Sequence, residues 1–185
     1  KSTKRIKQIN TKPVNPAFFM SEKKTNLSSY DSAAIPSAAD MRIGIVVAEW
    51  NPEVTQALLS AAQTSLFEHG LRAANLFVQA VPGSFELPSG AQFLLEKHKP
   101  DAVIILGCVI QGETRHFDFI CQGVTEGIMS LNLEYKTPVI FGLLTTQNQE
   151  QAMARSGGKH GNKGIEAAIT AIKMAALWQN NSTDK

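Results

Sequence analysis

An α/β chain, a four-stranded parallel sheet sandwiched between two helical layers, is what this sequence predicts, and three observations carry the prediction. Four short runs rich in Val, Ile and Leu alternate with longer segments of helical periodicity. The runs are apolar almost throughout, as strands covered on both faces are, rather than apolar at every second residue. A length of 185 residues, 43% hydrophobic and 18% charged, also suits one core that needs no disulfide or metal to staple it.

The first strand is residues 42–48, Arg-Ile-Gly-Ile-Val-Val-Ala. Asn51-Pro52-Glu53 then reads as a helix start: a capping side chain, a proline in the first turn and an acid at the positive dipole end. Val54, Leu58, Ala61, Ala62 and Leu66 give that helix one apolar face, and Gly70 ends it. Residues 74–81 make the second strand, 87–97 a short helix and 101–107 the third strand. Phe117, Ile120, Cys121, Val124, Ile128 and Leu131 stripe the next helix, and residues 138–144 make the fourth strand. Helices follow over 148–155 and 163–178, the latter through Ile165, Ala168, Ile169, Ile172 and Ala176. In a sheet of this kind ligands bind beyond the carboxyl ends of the strands. The loops at those ends are therefore the places to look for chemistry.

Charge and cysteine content exclude several classes. Residues 1–40 hold seven basic groups against three acidic, while residues 41–185 hold eleven basic and thirteen acidic. The net charge of +2 thus belongs to the amino-terminal stretch, and the body offers no basic stripe for nucleic acid. No apolar run approaches the ~18 residues of a membrane span. Cys108 and Cys121 lack the paired spacing of a zinc site or a disulfide framework and read as small core residues, in a soluble protein of a reducing, cytoplasmic compartment. Residues 1–40 are expected to form a flexible or partner-bound arm, 41–179 the folded domain and 180–185 a disordered tail. Within the arm, residues 1–19 carry five basic groups and no acid, which suits an organelle leader. Met20-Ser21-Glu22-Lys23 reads instead as an internal start preceded by upstream or tag residues.

Four loops carry candidate residues. After the first strand comes Trp50-Asn51, which is either a stacking ring beside a ligand contact or a core-edge aromatic beside a plain helix cap. After the second comes Pro82-Gly83-Ser84-Phe85-Glu86, a forced turn whose amides can meet a polar heterocycle with Phe85 packed against it. Ser84 there suits a helix cap, and Glu86 is an acid–base group or a first-turn carboxylate. After the third comes Gly112-Glu113-Thr114-Arg115-His116, where a flexible glycine, a hydroxyl and free amides precede a helix. That is an anion site suited to a small phosphate, though it is neither a Walker loop nor a dinucleotide fingerprint, and Glu113 counts against it. His116 is a proton relay or an ordinary first-turn histidine. The last loop, from Arg155 to Gly164, gathers Arg155, Lys159 and Lys163 among four glycines, a second anion contact or a solvated turn. His69 and His98 read as helix-end residues.

Taken together, these segments resemble the lumazine synthase family, whose members perform the penultimate step of riboflavin biosynthesis. The resemblance runs from about Met41 to Leu177. It rests on Trp50-Asn51, Pro82-Gly-Ser-Phe-Glu-Leu-Pro88, Gly107-Cys-Val-Ile-Gln-Gly-Glu-Thr-Arg-His-Phe117, Val139-Ile-Phe-Gly142 and the stretch from Arg155 to Lys163-Gly164, in the family's order and spacing. It implies a flavodoxin-like strand order and a cofactor-independent transferase. Such an enzyme condenses 5-amino-6-(D-ribitylamino)uracil with 3,4-dihydroxy-2-butanone 4-phosphate to 6,7-dimethyl-8-ribityllumazine, phosphate and water.

By the family's pattern Trp50 stacks on the pyrimidine with Asn51 beside it, and Ser84, Phe85 and Glu86 serve the ribityl chain and ring. Cys108, Val109 and Ile110 line the pyrimidine slot. Gly112, Glu113 and Thr114 hold the phosphate with Arg155 of an adjacent subunit. His116 moves protons, and Phe141 and Lys163 also come from the neighbour. Two departures stand out: Gln111 where Arg is frequent, and Glu113 where a smaller residue or Asp is common. The resemblance further implies a homo-oligomer, a pentamer, a pair of pentamers or a sixty-chain shell, the last favoured by the Gly157-Gly-Lys-His-Gly161 turn, with riboflavin synthase as a partner. No metal is implied. The rival reading is a flavodoxin-like module that holds a flavin or nucleotide without catalysis and would be yellow. A second rival is a shell whose site has decayed, which the intact Trp50, Phe85, Thr114, His116, Arg155 and Lys163 oppose.

Overall fold

The computed structural model describes residue 26 and residues 28–182. Strands β1 (Ile43–Ala48), β2 (Leu76–Val81), β3 (Ala102–Ile110) and β4 (Val139–Thr146) form one parallel sheet in the order β2-β1-β3-β4. This is the flavodoxin-like arrangement. The chain winds from β1 to one side, then crosses to β3 on the other. The switch point, where a ligand cleft opens in such sheets, therefore lies between the carboxyl ends of β1 and β3. Helices α1 (Pro52–Glu68), α2 (Leu87–His98), α3 (His116–Glu134), α4 (Gln149–Arg155) and α5 (Lys163–Ser182) complete the layers.

The continuous apolar character of β1 follows from burial on both sides: all six of its residues are buried. Ile43, Ile45 and Val47 join Ile104 and Leu106 against Val54, Leu58 and Leu66 of α1 and Ala168 and Ile172 of α5. Val46 and Ala48 join Val103 and Ile105 against Leu87, Ala91 and Leu94 of α2 and Val124 and Ile128 of α3. Two cores, one per face, are thus specified by the two-residue alternation of the strands.

Helix α5 approaches α1 closely because residue 164 is glycine. A Cβ there would run into the Leu58 carbonyl oxygen. Gly164→Ala is expected to cost about 1–3 kcal/mol, the usual penalty for forcing extra volume into packed backbone. Thermal unfolding checks it, and an unchanged Tm would mean that α5 lifts off α1 freely.

Several local expectations are corrected. The third and fourth strands run beyond Gly107 and Leu144, because the two extensions pair with each other from Gly107↔Leu143 to Ile110↔Thr146. Cys108, Val109 and Ile110, expected in a loop, are strand residues. Asn51 does not cap α1: its backbone is left-handed (φ 58, ψ 55) and its side chain turns away from the helix. Ser84 does not cap α2 either, since a 3-10 turn over Ser84–Glu86 leads into that helix. The glycine-rich turn after α4 closes as a small antiparallel hairpin of β5 (Ser156–Gly158) and β6 (Gly161–Asn162). The last helix continues to Ser182, taking in residues 180–182 of the expected disordered tail.

The described part of the arm lies on its own domain. The Ala38 N–H donates to the His69 carbonyl at 2.8 Å, the Tyr30 and His69 rings sit 5.8 Å apart, and the Ser28 hydroxyl donates to the Asn162 carbonyl at 3.0 Å. His69 caps the end of α1 and His98 closes α2, as their positions beside Gly70 and Pro100 suggest. The expectations for residues 1–19 and for a start at Met20 lie outside the described residues. Among the described residues no helix is long and apolar enough to cross a membrane.

Candidate active site

The cleft begins where β1 ends. The Glu49 N–H still donates to the Val81 carbonyl at 2.9 Å, after which the chain bends at Trp50 and Asn51. Trp50 is 73% exposed, so its indole is no core-edge aromatic. The large ring thus stands bare at the sheet's switch point, where ligand clefts open in such sheets. Asn51 turns its amide inward, and its Nδ2 donates to the Cys108 carbonyl of β3 at 2.9 Å.

The turn after β2 supplies the facing wall. A Cβ on Gly83 would lie 3.0 Å from Glu86 Oε2 and 4.0 Å from Trp50 Cδ1. Glycine at 83 therefore lets the Glu86 carboxylate and the indole gather about one point of backbone. Phe85 is largely exposed and leans on α3, where a Cβ at Gly123 would lie 2.9 Å from its Cε2. Ser84 is buried, and its Oγ has no hydrogen-bond partner. A buried orphan hydroxyl is costly enough to mark a position of interest beside the β3 end.

At the tip of β3, burial pushes the Cys108 thiol up to about 11, with the Thr146 side chain opposing in part. Burial likewise raises the Cys121 thiol, helped by the Asp118 charge. Neither sulfur is thiolate at neutral pH, so neither is poised as a nucleophile. Residues 111–116 are all exposed, and nothing lies within 4 Å of where a Cβ on Gly112 would stand. The loop is moored at its start by the Gln111 N–H on the Thr146 carbonyl at 2.8 Å, and Gln111 Nε2 folds back onto the Gly112 carbonyl at 2.9 Å. Thr114 Oγ1 accepts the His116 N–H at 3.4 Å at the head of α3. Arg115 is drawn along the helix by Asp118 at 3.5 Å and by the Phe119 ring at 6.0 Å. Glu113 stays in the exposed loop.

The remaining candidates stand elsewhere in the chain. Arg155, at the end of α4, donates Nη1 to the His160 carbonyl at 2.7 Å and grips Glu166 with Nη1 on Oε1 at 2.7 Å and Nη2 on Oε2 at 3.0 Å. Lys163 Nζ reaches the same carboxylate at 3.3 Å. Arg155 edges a cleft of about 540 Å³ beyond β4, lined also by Thr145, Thr146, Asn148, Glu150, Lys159 and His160. Phe141 belongs to neither group, lying opposite Ile105 on the edge strand β4. One chain thus brings Trp50, Asn51, Ser84, Phe85, Glu86, the β3 tip and the loop to His116 to one end of the sheet, while Arg155 and Lys163 gather in a cluster of their own about Glu166.

Glu166 was not singled out by sequence reasoning. Its only signal is its place three residues after Lys163 in the first turn of the last helix. Burial alone would raise its carboxyl, but the hydrogen bond from Arg155 and the charges of Lys163 and Arg155 outweigh that and pull it below its ordinary 4.5. A depressed carboxyl stabilises the fold above its unfolded value and loses that contribution as pH falls through the folded one. Acid unfolding of Glu166→Gln is therefore expected to be shallower than that of the parent below pH 4.5. Equal acid limbs for the two proteins would refute the coupling. Among the described residues, no cluster of three or more His, Cys, Asp or Glu side chains stands where it could hold a metal ion.

Residues 40–179 match the family described as 6,7-dimethyl-8-ribityllumazine synthase. A protein of that name from Porphyromonas gingivalis is 57% identical over 152 residues, covering 82% of this chain and 94% of its own. One from Cytophaga hutchinsonii is 59% identical over 157 residues, covering 85% and 98%. One from Flavobacterium johnsoniae is 52% identical over 163 residues, covering 88% and 86%.

Proposed function

The chain belongs to the 6,7-dimethyl-8-ribityllumazine synthase family and is a transferase of riboflavin biosynthesis, and from that premise we propose how its residues divide the work. The reaction joins 5-amino-6-(D-ribitylamino)uracil to 3,4-dihydroxy-2-butanone 4-phosphate and releases phosphate and two molecules of water. The observation that supports the assignment of roles is the meeting, at one sheet end, of the bare Trp50 indole and the open loop that leads into α3.

The pyrimidine stacks on Trp50 and lies along the β3 edge formed by Cys108, Val109 and Ile110. Its ribityl chain runs to Ser84, Phe85 and Glu86. The phosphate of the second substrate sits over Gly112, Glu113 and Thr114, where loop amides and the positive end of α3 favour an anion. The amine then attacks the ketone, water leaves, a proton is removed and phosphate is expelled; the second amine closes the ring on the remaining carbonyl, whose oxygen departs as a second water. Each step is helped chiefly by holding two molecules together and by moving protons. His116, at the head of α3 beside the phosphate loop, carries the protons.

Arg155, Lys163 and Phe141 complete the cleft of a neighbouring copy, so the working unit is a homo-oligomer. The exposed Phe93, Phe119, Met129 and Leu133 of α2 and α3 support an assembly that covers them. A pentamer or a sixty-chain shell is the form proposed, in the cytoplasm, with riboflavin synthase taking the product. Mixing purified protein with the two substrates tests the activity: lumazine fluorescence is the expected signal, and its absence from a folded protein overturns the reading. Electron microscopy decides the assembly.

A further inference from the structure

Strand β3 is held unevenly at its carboxyl end. Its ladder to β1 stops at Val47↔Leu106, whereas its ladder to β4 runs on to Ile110↔Thr146. Peptide groups along a parallel strand turn alternately to one neighbour and the other. The Val103 N–H donates to the Pro138 carbonyl and the Gln111 N–H to the Thr146 carbonyl, so odd-numbered residues here face β4. Cys108 and Ile110 therefore turn their peptide groups the other way, into the space that β1 leaves as it bends off at Trp50.

In that space Asn51 replaces the missing ladder. Its Nδ2 reaches the Cys108 carbonyl at 2.9 Å, a contact spanning 57 positions of sequence. Its main chain is committed too: the Asn51 carbonyl accepts the N–H groups of Val54 at 2.9 Å and Thr55 at 3.0 Å, anchoring the first turn of α1. The left-handed backbone at φ 58, which asparagine tolerates better than most residues, aims the amide away from the helix and at β3. Adjacent in sequence to Trp50, this one residue links the stacking ring to the strand edge beside it.

We infer that Asn51 is a positioning residue which, through the Cys108 carbonyl, sets the Cys108–Ile110 edge at the right distance from the Trp50 ring to admit the pyrimidine. The inference rests on the assignment of that edge and ring to the pyrimidine under the proposed function. The Asn51 amide works through β3 and leaves the substrate to the Ile110 peptide group beyond it.

Two variants test this. Asn51→Asp keeps size and tolerance of the left-handed backbone but sets a carboxylate oxygen against a carbonyl. Asn51→Gly keeps the backbone and deletes the side chain, and it decides the matter if the first variant does not fold. Removing one hydrogen bond of ordinary worth should raise KM for the diamine about 3–10-fold in the glycine variant. The aspartate variant should be worse, with kcat changed less than KM and KM for the butanone phosphate unchanged in both. A diamine KM that stays at the parent value, or both KM values rising together, would show that the bond merely holds the fold and would overturn the inference. A parent protein that makes no lumazine would sink the assignment of the cleft instead, an outcome visible before any variant is assayed.

Discussion

Alanine in place of His116 is expected to slow lumazine formation by about 10²-fold, the lower end of what one positioned acid–base group supplies. His116 is the first residue of α3 and exposed, with its N–H held by Thr114 Oγ1. Losing the imidazole leaves Thr114, the loop amides and the Trp50 face in place, so both substrates still bind and KM should move little. The reaction should persist at a reduced rate, because bringing the two molecules together is itself a large part of the acceleration. Steady-state kinetics with each substrate varied in turn checks the split. A variant with unchanged kcat would remove His116 from the proton path, and one with kcat intact but KM raised would make it a binding group.

Arg155→Ala should act on the other axis, raising KM for the butanone phosphate by about 10–100-fold, the worth of a charge-assisted bidentate contact. The guanidinium is already oriented: only 18% of its side chain is exposed, and Glu166 and the His160 carbonyl fix its plane. Removing it leaves Glu166 with Lys163 as its ion-pair partner, so a fall in stability should accompany the kinetic change. Arg155→Lys keeps the charge but not the fork and should recover only part of the loss. An unchanged KM for the phosphate substrate in the alanine variant would sink the assignment.

Most of the layer architecture was legible because it depends on local signals. Unbroken apolar runs marked the strands, and Asn148, read as the first residue of its helix, stands just before α4 and caps it, accepting the Gln151 N–H at 2.9 Å. What was missed depends on contacts distant in sequence. Gly107 looks like a strand end, yet pairing with Leu143 carries β3 on through it. Asn51 before a proline looks like a cap, yet the carbonyl of Cys108 offers its amide a better partner. The role of Glu166 is invisible until the hairpin of β5 and β6 brings Arg155 back onto the first turn of α5. The exposed loop from Gly112 to His116 was readable because its composition announces it, whereas its relation to Arg155, under the proposed assembly, involves a second copy of the chain.

The separation of the Trp50–His116 cleft from the Arg155–Glu166 cluster has a genetic corollary under the proposed assembly. Damage to the first falls on the chain's own pocket, and damage to the second falls on the pocket next door. Two defective alleles, one hit at each place, need not therefore be equally silent when expressed in the same cell. Hybrid rings would contain some junctions drawing an intact half from either parent, and those junctions would work.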